Sequence, residues 1–170
     1  MSLWIRNLSW LALLLTSTLV FAETINPLFA KLQVPAKQIP QACKAEEFPK
    51  DGRRAHFTNP GWTSDPTLIK DATLEDILDL NQIKAMFYSV YKVEDLTSGA
   101  SESGIFAWDF DTAEHAKANE KKFADKHKGE DIKAYLKDKT LIVVWQDNAK
   151  ANPCYKAFQA HVEALVANKN

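Results

Sequence analysis

The sequence predicts an α+β fold: a small, mainly antiparallel sheet of three or more strands, covered by helices and preceded by a Pro-rich arm. Three observations carry this. Two β-prone runs, 84–93 and 105–110, are separated only by a short polar segment, as in an antiparallel hairpin. A nearly continuous apolar run, Leu141-Ile142-Val143-Val144-Trp145, has the composition of a central strand covered on both faces. Apolar residues also recur at helical spacing, most clearly Tyr155, Phe158, Val162, Leu165 and Val166. With 170 residues, 46% of them apolar and 25% charged, the chain can bury a core without metal or partner.

The first segment, 1–22, reads as a secretory signal peptide. It carries Arg6, an apolar stretch centred on Leu11 to Leu15, and a Val20-Phe21-Ala22 ending with small residues where a signal peptidase needs them. The apolar stretch is shorter than the roughly 20 residues a membrane span requires, so the mature chain is expected to begin at Glu23 without a transmembrane segment. Cleavage removes Arg6 and no acid, leaving 20 basic against 22 acidic residues. That balance, with its short and scattered basic runs, excludes nucleic acid as the expected partner. Export also decides the reading of Cys43 and Cys154, the two cysteines of the chain. In an oxidising compartment they are expected to form a disulfide that pins the N-terminal tract to the last helix.

Three stretches follow: the leader, the arm 23–70 packed on the domain, and the core domain 71–170. The arm holds six of the seven prolines, which forbids long helices and central strands within it. Asn26-Pro27 has the residues to cap and open a short helix with Leu28, Phe29 and Leu32 inward. Thr73 with Asp76 resembles a capping box, predicting a short helix through Leu74, Ile77 and Leu78. The first strand is expected over 84–93, a hairpin loop over the Ser/Gly run 97–104, and a second strand over 105–110. Asp111-Thr112 caps a helix from about Ala113 to Lys126, and a second short helix is expected to carry Ile132, Tyr135 and Leu136. The apolar strand and a final helix opened by Asn152-Pro153 complete the order, with the helices expected on one face of the sheet.

Candidate chemistry is sparse. Asp109, Asp111 and His115, with Glu114 beside them, bring oxygen and imidazole ligands together at a strand-to-helix junction, a set that would suit a divalent cation and a metal-assisted hydrolase. The plainer reading makes Asp111 a helix cap and Glu114 a favourable charge at a helix N-terminus. His161 lies beside the apolar stripe of the last helix, as a hydrogen-bonded core-edge histidine does, and His127 reads as surface. Arg53, Arg54 and His56 form a basic loop able to cup an anion. Tyr88 and Tyr91 are candidates for a flat apolar platform on the sheet face opposite the core. Ser101 and Ser103 lack the Gly-x-Ser-x-Gly setting of a hydrolase nucleophile, and no zincin, phosphate-loop, haem or EF-hand motif is present, so no cofactor is expected.

The expectation is therefore an exported domain, periplasmic in a Gram-negative cell and secreted otherwise, held by one disulfide. It would act as a non-enzymatic module binding an envelope protein or a small ligand. The alternatives are the metal-assisted hydrolase and a structural or inhibitory partner of another envelope protein.

Overall fold

The computed structural model describes residues 26–48, 57–73, 76–95, 99–147 and 152–168. The expected leader and the basic loop Arg53, Arg54 and His56 lie outside them. The described chain forms an α+β fold around a six-stranded antiparallel sheet. Its long hairpin is β3 (Ile83–Asp95) and β4 (Gly99–Phe110). β4 pairs on its other side with β6 (Thr140–Gln146), which pairs in turn with β5 (Lys133–Lys137) at the edge. The opposite edge of β3 is covered by two short strands, β1 (Lys44–Ala45) and β2 (Gly61–Thr63).

The helices lie on both faces of this sheet, not on one as expected. α1 (Pro27–Leu32) and α4 (Pro153–Ala167) pack on Phe87, Tyr91, Ile105, Ala107, Ile142 and Val144. α2 (Pro66–Ala72) and α3 (Ala113–Lys126) cover Met86, Tyr88, Trp108, Phe110, Leu141 and Val143. The cause is the central strands themselves. Leu141 to Val144 are all at most 2% exposed, so both faces of β6 need an apolar cover.

Two segments take a different structure from the one their spacing predicts. Ile132, Tyr135 and Leu136 have helical spacing, yet 133–137 is strand β5. Tyr135 packs with one core and Ala134 and Leu136 with the other, so the period that wins is two. The turn selects it: Asp138 has a φ of 53°, and with Lys139 it closes a two-residue connection that sets Lys137 opposite Thr140. The Ser/Gly run expected as a loop is strand from Gly99 onward, pairing through Ser101 with Val93 and Ser103 with Tyr91. Small residues are required there. A Cβ on Gly104 would collide with the Ser89 carbonyl and stand 3.0 Å from the indole nitrogen of Trp145.

The helix expected through Leu74, Ile77 and Leu78 is not found at 76–79, and Leu74 lies outside the described residues; the helix here comes earlier. α2 starts at Pro66, capped by Asp65, and Thr73 ends it. The Thr73 hydroxyl accepts the indole N–H of Trp108 at 3.0 Å and contacts the Met86 sulfur at 3.6 Å, so the core holds it. A 3-10 turn, Leu80–Gln82, leads from there into β3.

The disulfide forms as expected. Cys43, 6% exposed, and the fully buried Cys154 are joined with their Cα atoms 5.8 Å apart, across 111 positions of chain. It fastens the residue before β1 to the first turn of α4. Asn26 and Asn152 cap α1 and α4 as their Asn-Pro sequences predict. No helix among the described residues is long and apolar enough to cross a membrane.

Candidate functional site

The bulge in β3 is where the site begins. Ile83 pairs with Phe110 and Ala85 with Asp109, so Lys84 is the extra residue between them. Bulges of this kind re-aim a side chain, and here Lys84 and Ala85 both line one cleft of about 940 Å³. Ala85, Asp109 and Thr140, neighbours across β3, β4 and β6, also line it. The rest of its wall comes from the first turn of α1, the last turn of α4, the β5–β6 hairpin, and Trp62 and Ser64.

Asp109 is the best-held polar group in the cleft. It is 6% exposed. Its Oδ1 accepts from Asn26 Nδ2 at 2.9 Å and from Thr140 Oγ1 at 3.0 Å, while Oδ2 pairs with Lys139 Nζ at 3.2 Å. Asn26 uses its other atom, Oδ1, to accept the Leu28 amide at 2.9 Å. One side chain thus starts α1 and anchors that helix to the sheet. A buried carboxylate with two hydrogen bonds and a cation is compensated in place.

The lysines of the cleft divide into two kinds. Lys139 neutralises Asp109, and Lys137 donates to the carbonyls of Leu165 and Asn168 at 2.8 and 2.9 Å, closing the C-terminal end of α4. Lys31 and Lys84 are exposed, and no hydrogen bond or ion pair holds either ammonium among the described residues, although Lys84 acts through space on the Asp111 carboxyl. The counter-charge left on the rim is Asp138 at the hairpin turn. Trp62 stands beside them at 39% exposure, the exposed large apolar side chain of the described molecule.

The residues singled out by sequence fall mostly elsewhere. Asp109 lines the cleft, but Asp111 and His115 do not join it. Asp111 Oδ1 and His115 Nδ1 lie 2.6 Å apart, and that hydrogen bond holds the Asp111 carboxyl below its usual range. Thr112, not Asp111, accepts from the first turn of α3. No group of three potential metal ligands occurs among the described residues.

Tyr88 and Tyr91 are 4% and 7% exposed, so neither ring is offered to solvent. Tyr88 packs edge-on to Phe57 and Tyr91 edge-on to Phe158. Burial pushes the Tyr88 hydroxyl up to about 12. His161 sits between α4 and the arm, with Nε2 2.8 Å from the Lys31 carbonyl and Nδ1 3.2 Å from Gln38 Oε1. His127 is less exposed than a surface reading implies, its ring centroid 4.4 Å from that of Phe123. Ser101 belongs to a structural network with Asp147 and Asn152.

Lys31, Trp62 and Lys84 had no sequence signal that set them apart. Trp62 reads as one more packing residue of the arm, and the aim of Lys84 depends on a bulge that no residue pattern announces. No protein-family model, curated protein or solved structure matches the chain.

Proposed function

We propose that this protein is an exported, disulfide-clipped binding module whose leader, 1–22, is removed, and that it takes a small ligand in the cleft between the α1 and α4 ends. The observation that carries the reading is the cleft itself. It joins a hydrogen-bonded polar floor, Asp109 with Asn26 and Thr140, to an exposed indole at the rim. Concave sites with a few convergent polar groups and an aromatic wall are where proteins bind small molecules. The disulfide supports an oxidising compartment. Catalysis is not part of the proposal, because Asp109 is already saturated by its own neighbours and the other acid and imidazole of the suspected cluster lie outside the cleft.

The test is an amide-resolved NMR titration of the mature chain, 23–170, with small aromatic, aliphatic and charged fragments. Binding fragments should move the Trp62 indole together with the amides of Lys84, Asp109 and Thr140. Trp62→Ala should weaken those fragments by about tenfold, the worth of one aromatic face. Shifts scattered over the whole surface would refute a cleft ligand. Recovery of the untrimmed Met1 form with reduced cysteines from intracellular protein would refute export.

A further inference from the structure

Within the binding reading above, on which this inference rests, we infer that the cleft selects a carboxylate carried on a flat apolar body. The argument is one of charge and shape. Four lysines and two aspartates line the cleft. Lys139 is spent on Asp109 and Lys137 on the last carbonyls of α4, so neither is available to a ligand without breaking an existing contact. What remains is Lys31 on α1 and Lys84 on the β3 bulge; the acids that face them among the described residues are Asp138 on the turn and, for Lys84, Asp111 from outside the cleft, already paired with His115.

A cationic ligand finds Asp138 at the turn and no second open acid in the cleft among the described residues. Asp109 is the acid at the floor, and both its oxygens are engaged. A new cation there would have to displace Lys139. An anion meets two exposed ammonium groups that no hydrogen bond or ion pair holds among the described residues, in a concave site that strengthens their field. The second half of the recognition is Trp62. It lies on β2 opposite Phe87, whose ring belongs to the α1 and α4 core, so the indole continues that apolar layer out to solvent. A ligand that covers the ring and presents a carboxylate to Lys31 and Lys84 satisfies both features. A small inorganic anion would leave the indole wet, and a neutral ring would leave the lysines unanswered.

The experiment compares three probes of one shape, 2-naphthoate, 2-naphthamide and 2-naphthylmethylammonium, titrated against the mature chain at low salt and read at Trp62 and the cleft amides. The expected order places naphthoate first. Lys84→Gln and Lys31→Gln, both exposed positions, should each weaken naphthoate by about threefold to tenfold and leave naphthamide unchanged. Raising ionic strength on the unaltered protein should weaken naphthoate alone, a measurement that needs no variant to fold. Equal binding of naphthoate and naphthamide overturns the carboxylate preference while leaving a cleft ligand standing. Preference for the ammonium overturns it too. If none of the three moves the cleft resonances, this inference falls. The cleft reading itself falls only if the wider fragment set also fails there.

Discussion

Asn59 shows how one side chain can stand in for a missing piece of strand. β1 pairs with Tyr91 and Lys92, β2 with residues 86–88, and between them the outer edge of β3 at Val90 has no strand opposite. The Asn59 amide fills that place. Its Oδ1 accepts the Val90 N–H at 2.9 Å, and its Nδ2 donates to the Val90 and Glu46 carbonyls at 2.6 and 2.8 Å. Val90 is 2% exposed, so water cannot replace these bonds without opening the edge. The Val90 carbonyl keeps the Glu46 N–H at 3.0 Å, so Asn59→Ala strands the buried Val90 N–H and should cost about 1 to 3 kcal/mol. Urea denaturation is the measurement, and a loss below about 0.5 kcal/mol would show that the amide is dispensable.

At the scale of elements the disulfide is the contact to test. It joins the residue before β1 to the first turn of α4, and both cysteines lie in the α1 and α4 core. Closing a loop of this length stabilises by about 4 to 5 kcal/mol in the chain-entropy model. A Cys43→Ser, Cys154→Ser double variant should lose most of that, measured as a lower denaturant midpoint. A midpoint equal to that of the unaltered protein would mean the α1, α4 and sheet contacts suffice.

The same scale shows what a single sequence can reveal. Where an element's signal is local it was legible: the Asn-Pro caps of α1 and α4, the β-prone composition of β3 and β4, the unbroken apolar run of β6. β5 was not, because Ile132, Tyr135 and Leu136 satisfy a helical period and only the left-handed turn at Asp138 decides otherwise. The capping box at Thr73 misled for a similar reason, since the hydroxyl that suggests a cap is taken by the Trp108 indole from β4. Of the cleft, Asp109 was visible as an acid of interest, while its partners Asn26, Lys139 and Thr140 lie 83, 30 and 31 residues away. Their convergence is a property of strand register, which composition does not encode.

For the whole molecule, two-sided helical cover means that the aromatic rings of the sheet are shared between two cores. All four tyrosines have hydroxyls raised above their ordinary value, in each case first by burial. An unfolded tyrosine ionises near pH 10. The folded ones ionise higher, so between these values the folded state holds more protons than the unfolded state and loses stability as pH rises. The tyrosine contribution to stability should be level up to about pH 10 and fall above it, with Tyr88 ionising near 12. Following phenolate absorbance together with circular dichroism checks this. Four hydroxyls titrating near pH 10 with the fold intact would contradict it.

The bond between Cys43 and Cys154 also changes what a protease can accomplish. A single cut anywhere between those positions opens the ring but releases nothing, since the two fragments stay one covalent molecule. Clipped protein should migrate near its original mass on a non-reducing gel and separate into two bands once reductant is added. Damage of that kind can leave the severed pieces seated side by side on the same sheet.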